Sequence, residues 1–183
     1  EIGEGDLTTE SIALYPLHSS GRLVMSSDTL FSGRAIMEKL LESAGEQLQI
    51  EWHFDEGDEI PAGATIFKFN GNGAEILKIR RLLEWLASSL SGLATATREV
   101  VKFLGEKKKK LVAGNSVSPI FEEFEKIAFT TGGGEMSFSG ISQRIYLTQN
   151  HFIYAGKSPD EVITTLVDEL GVARIKIKIE VEV

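Results

Sequence analysis

Residues 74–105, AEILKIRRLLEWLASSLSGLATATREVVKFLG, place Ile76, Ile79, Leu82, Leu83, Leu86, Leu90 and Leu93 at three-and-four spacing, the signature of one apolar helical face. A helix this long must have a large part of the chain packed along it. Its middle, SSLSGLATAT, strings small side chains together. That costs helix propensity at Gly92 but lets another backbone or a ligand come close, and a buried close helix crossing is the simpler of the two expectations. Arg81 lies on the same helix beside apolar neighbours, where a guanidinium either reaches to water or pairs with an anion.

The chain before this helix reads as α+β. GRLVMSSDTLF (21–31) has strand character, and GRAIMEKLLESAG (33–45) spaces Ile36, Met37, Leu40 and Leu41 along one helical face before Gly45. LQIEWHF alternates Leu48, Ile50, Trp52 and Phe54, and ATIFKFNG follows as its hairpin-like partner across DEGDEIPAG, whose acids read as a solvated turn. Beyond residue 105 the texture becomes strand and helix in alternation. KKLVAG, RIYLT and ARIKIKIEVEV read as strands. SPIFEEFEKIAF and SPDEVITTLVDELG read as helices, the second opened by a Ser158–Glu161 capping box. This rhythm implies parallel strands with right-handed crossovers. The expected fold class is therefore α/β, with an α+β unit over 1–105 and a partial parallel α/β unit over 106–183 that ends on a strand.

With 42% apolar residues in 183, the chain can bury a real core, while a formal charge of -8 excludes a broad nucleic-acid footprint. The run Lys107–Lys110 is expected to be a solvated helix end. The absence of cysteine rules out disulfides and thiolate chemistry. No stretch approaches the ~20 apolar residues of a membrane span, and the acidic start EIGEGDLTTES is unlike a signal peptide. A soluble cytoplasmic protein without a membrane partner is the expectation.

The stretch TTGGGEMSFSGISQRIYLTQNHF (130–152) has the outline of a ligand loop, because its triple glycine allows close backbone approach and Asn150-His151 closes it. Standard catalytic templates fail: His151 stands where a phosphate loop ending at Gly156-Lys157-Ser158 needs its first glycine. His18 in a loop and His53 on an outward strand position read as surface residues, and the three histidines lack zinc-site spacing. At the end, Arg174, Lys176, Lys178, Glu180 and Glu182 share one strand face, with isoleucines and valine on the other. That charged face is either a solvated edge or a ligand-facing barrel strand.

The order of GEGDLTTESI, DEGDEIPAGATIFKFNG, the arginine-bearing helix with LSGLATAT, then GGG, NHF and IKIEVEV resembles the quinolinate phosphoribosyltransferase family across nearly the whole chain. The resemblance implies an N-terminal α/β sandwich domain followed by an α/β barrel, in a homodimer that shares its active site between subunits. It also implies joining of quinolinate to phosphoribosyl pyrophosphate with Mg2+, releasing carbon dioxide and pyrophosphate to give nicotinate mononucleotide. On this likeness Arg81 matches the arginine given by the neighbouring subunit, and Glu180 and Glu182 match the carboxylates near the phosphoribosyl and metal site. Asn115 and Ser116 stand at an arginine and a lysine, Ser137 and Phe138 at a His-Arg pair, and Thr148 at a lysine, while Asn150 and His151 are retained. A pocket so lined suits a less charged ligand, and a catalytically degenerate relative serving as a dimeric binding or regulatory scaffold is the alternative.

Overall fold

A computed structural model describes residues 6–12, 18–44, 48–113, 121–136, 145–169, 171 and 177–179. The chain divides into two compact units, Glu1–Met136 and Ser137–Val183. In the first unit the long helix ends at Glu106, and a further helix packs on it.

In the first unit, α1 (Leu7–Ile12) is opened by Asp6. The Asp6 carboxylate accepts from the Thr9 hydroxyl and from the Thr8 and Thr9 amides, and the Thr9 hydroxyl bond leads in holding its carboxyl below the ordinary range. Next come β1 (His18–Val24), β2 (Thr29–Leu30), α2 (Arg34–Ala44), β3 (Gln49–Trp52), β4 (Glu59–Ile60) and β5 (Thr65–Asn72). The order β1-β5-β3 forms an antiparallel sheet, and β2 pairs with β4 in a separate ribbon. The expected hairpin-like pair is thus β3 with β5. The strand expected over 21–31 is broken, because residues 25–28 leave the sheet to reach the ribbon. His18 is a strand residue, not a loop residue.

The long helix, α3 (Gly73–Glu106), starts where the Asn72 side chain accepts from the Ala74 amide at 3.1 Å. Its inward face carries Ile76, Ile79, Leu83, Leu86, Leu90 and Ala94 into a core with Phe31, Met37, Ile60, Ile66 and Phe67. The small-residue stretch brings neighbouring backbone close. Ser91 Oγ accepts from the Ser32 amide at 3.1 Å, and Thr95 Oγ1 accepts from the Leu30 amide at 2.8 Å. Two hydroxyls of α3 thereby satisfy backbone donors of the 29–32 segment, which side chains of ordinary size would hold away. Gly92 itself is not part of this approach, since a Cβ added to it would meet no atom within 4 Å.

The helix ends in a Schellman turn, with Lys109 N–H donating to Leu104 O and Lys108 N–H to Gly105 O, both at 3.0 Å. Lys108 occupies the left-handed position at φ 54°, which suits glycine. Lys108→Gly is expected to raise stability by about 0.5–1 kcal/mol, or roughly 2–3 °C in thermal midpoint. Calorimetry of the variant checks this.

The acids of 55–59 are more than a solvated turn. The exposed Glu56 carboxylate accepts from the Ser32 hydroxyl (2.6 Å), the Gly33 and Arg34 amides (2.9 and 3.0 Å) and the Thr131 hydroxyl (2.9 Å). It satisfies the free amides that open α2 and ties that end to α4 (Glu122–Thr131). Removing it in Glu56→Ala is expected to cost about 2 kcal/mol, read as a lower urea midpoint at unchanged slope.

The second unit contains β6 (Ile145–Leu147), α5 (Gln149–Ala155), α6 (Pro159–Thr164) running into a π-helical turn at Thr165–Glu169, and β7 (Ile177–Ile179). β6 and β7 are parallel, with Tyr146 opposite Lys178, as the strand-helix rhythm implies. The Ser158–Glu161 capping box is present, its Ser158 amide donating to Glu161 at 2.8 Å and leading in lowering that carboxyl from its usual range.

Candidate functional site

The stretch 130–152 is not one open loop. α4 persists to Thr131, and Gly132, Gly133 and Gly134 after it each have a local reason. A Cβ on Gly132 would lie 2.5 Å from Thr97 Cβ and 2.6 Å from Ala94 O, and one on Gly134 would lie 2.2 Å from the Phe129 ring. Gly133 takes φ 92°. The close approach read from the triple glycine is therefore to α3 and to α4's own Phe129. Asn150 and His151 lie on α5, a helix the sequence reading missed because seven residues, QNHFIYA, are too few to display a helical period.

β6 leads directly to Thr148, the N-cap of α5, in extended conformation at φ -112°. Here two expected site residues meet. The Thr148 amide donates to His151 Nδ1 at 3.1 Å, and Thr148 Oγ1 lies 2.8 Å from the same nitrogen. A backbone N–H can only donate, so Nδ1 is the unprotonated nitrogen and the ring proton sits on Nε2. His151 is exposed. The pair thus offers a neutral, oriented N–H donor suited to a carboxylate or carbonyl oxygen. Thr148 positions the ring.

In the first unit, Arg81 is exposed on α3, next to Leu82 and one turn from Leu77 and Trp85, all three exposed. Among the described residues it has no ion-pair partner, whereas its neighbour Arg80 is held by Glu84 at 3.0 Å. Its guanidinium is available for bidentate contact with an oxyanion. Asn115 and Ser116 lie outside the described residues, as do Ser137, Phe138, Glu180 and Glu182. Among the described residues no group of three or more His, Asp or Glu is placed to hold a metal ion, and no helix is long and apolar enough to cross a membrane.

Comparison with known proteins gives two adjoining matches. Residues 6–91 match the model of the quinolinate phosphoribosyl transferase N-terminal domain, and residues 93–183 that of its C-terminal domain. A probable nicotinate-nucleotide pyrophosphorylase [carboxylating] of Bacillus subtilis is 31% identical over 85% of this chain and 54% of its own length. A quinolinate phosphoribosyltransferase [decarboxylating] of Nicotiana tabacum is 23% identical over 97% of this chain and 50% of its own. The chain therefore spans about half the length of these curated relatives. In fold it is similar to the nicotinate-nucleotide pyrophosphorylase of Ehrlichia chaffeensis, with a TM-score of 0.89 at 23% identity over 98% of this chain and 64% of that one. The corresponding protein of Francisella tularensis gives 0.85 at 23% identity, over 100% and 64%. The expected α/β class stands.

Proposed function

This chain belongs to the quinolinate phosphoribosyltransferase family, and on that premise we propose that the protein transfers the phosphoribosyl group of phosphoribosyl pyrophosphate to the ring nitrogen of a pyridine carboxylate, with quinolinate as the first acceptor to test. The observation that carries the reading is the consecutive match to both domains of one family, 6–91 and 93–183, in the order the motifs take along the chain. In this reading Arg81 reaches into the partner subunit's site and holds an acceptor carboxylate there through its planar fork, while His151, oriented by Thr148, donates from Nε2 to an acceptor oxygen in its own subunit's site. Glu180 and Glu182 serve near the ribosyl group. Mg2+ belongs to the proposal on family grounds alone, and the described residues have no cluster suited to it.

A homodimer is part of the same proposal. Besides Arg81, the outward stripe of α3 exposes Leu77, Leu82, Val100 and Phe103, apolar surface of the kind a second copy covers. Such a contact would carry Arg81 toward the partner's site.

The replacements at Asn115, Ser116, Ser137, Phe138 and Thr148 favour one variant of the reading, an acceptor bearing less negative charge than quinolinate. A charge-assisted contact is worth about 1.5–3 kcal/mol, so neutral residues at these positions penalise a dianion more than a monoanion. Calorimetric titration of the full-length protein with quinolinate, nicotinate and phosphoribosyl pyrophosphate tests this. Binding of the pyrophosphate and one pyridine is expected, and silence toward all three would leave the scaffold alternative.

A further inference from the structure

The sheet β1-β5-β3 has one face on the core and one that looks outward. On the outward face the strand register sets Arg22 directly opposite Lys68, with Glu51 on the far side of Lys68. Two residues along, the next row on that face is Ser20, Asn70 and Gln49. The two rows line a shallow concavity of about 600 Å³, and all six residues are exposed.

Directly opposed positions on neighbouring strands ordinarily favour opposite charges, and like charges there are unfavourable. Among the described residues neither Arg22 nor Lys68 has a carboxylate within ion-pair distance, in contrast to Arg34, Lys78, Arg80, Arg98, Lys110 and Lys126. Glu51 does not neutralise the pair, because its Oε1 lies 3.2 Å from His53 Nε2 on its own side of the sheet. Nor can the strands slip to separate the cations. Gly21 pairs with Phe69, whose ring lies 2.4 Å from where a Gly21 Cβ would be, so any residue with a side chain brought into that position would collide with the ring.

We propose that this face is a binding site for a phosphate group, held between the Arg22 guanidinium and the Lys68 ammonium. The guanidinium supplies a planar fork of donors and the ammonium a mobile point charge, a combination matched to an oxyanion with several acceptor oxygens. The row of Ser20, Asn70 and Gln49 lies about 7 Å along the strands and offers neutral donors and acceptors to whatever the phosphate is attached to. The ligand class is a small phosphomonoester or the free ion. The proposal depends on the first unit alone and is independent of the catalytic reading above.

The test follows backbone amide resonances of the full-length protein during titration with inorganic phosphate and, separately, adenosine monophosphate. Both are expected to shift residues of β1 and β5 with dissociation constants of about 1 mM or tighter. Tighter binding of the nucleotide would assign a phosphomonoester, and equal binding the free ion. The double variant R22Q/K68Q, at two exposed positions, is expected to keep its circular dichroism spectrum and to lose at least about tenfold in affinity. Absence of shifts in these strands with either ligand, or shifts unchanged in R22Q/K68Q, would overturn the proposal. Shifts confined to other residues would also overturn it, while remaining compatible with phosphate binding at a catalytic site.

Discussion

Replacing Gly132 by alanine is expected to destabilise the first unit by about 3 kcal/mol, the largest single-site effect on folding anticipated for this chain. The cause is not conformational, since Gly132 has φ -68° and any residue could adopt it. It is spatial: the added methyl would lie 2.5 Å from Thr97 Cβ, 2.6 Å from Ala94 O and 2.8 Å from Thr97 Cγ2. Ala94 and Thr97 are buried on α3, and the closest backbone atom belongs to a helix fixed along its length by the core. Relief requires α4 to move away, taking with it the buried Ala128 and the Thr131 contact to Glu56. Thermal unfolding should fall by roughly 10 °C. Gly105→Ala is the control: no atom lies within 4 Å of its Cβ position near the end of α3, and helix propensity alone predicts a gain of about 0.5–1 kcal/mol. Equal behaviour of the two variants would show that the α3–α4 contact is looser than described.

Arg81→Ala is expected to lower kcat/KM for phosphoribosyl transfer by roughly 10- to 150-fold, the equivalent of one charge-assisted contact of about 1.5–3 kcal/mol. Because the residue is exposed and has no ion-pair partner among the described residues, the thermal midpoint should stay within about 2 °C of the parent. That combination separates a binding role from a structural one. Arg81→Lys should recover little, since an ammonium keeps the charge but loses the bidentate fork. Wild-type kinetics in Arg81→Ala would remove this residue from the site.

What was legible in the sequence follows from physical period. α3 is visible because its apolar residues repeat over many turns, and the β3–β5 pairing because Leu48, Ile50, Trp52 and Phe54 alternate ahead of a turn rich in glycine and proline, with Ile66 and Phe69 beyond it. The parallel pairing of β6 and β7 was implied by the helices between them. α5 was hidden by brevity. Glu56 reads as one acid in a turn because its partners, residues 32–34 and Thr131, are distant in sequence, and a tertiary cap leaves no local signal. The triple glycine was recognised as a close approach, but the approached atoms belong to α3 and Phe129, which only the fold identifies. In the candidate site, Thr148 and His151 could each be singled out from the family motif. Their mutual hydrogen bond, which fixes the imidazole's proton on Nε2, depends on α5 starting at Gln149.

The most direct test of the proposed phosphoribosyl transfer is pyrophosphate release by the full-length protein given phosphoribosyl pyrophosphate and Mg2+, with quinolinate, with nicotinate, or with no acceptor. Release that requires a pyridine carboxylate, accompanied by the matching mononucleotide, is the predicted result. No release above the acceptor-free control with either pyridine would contradict the claim.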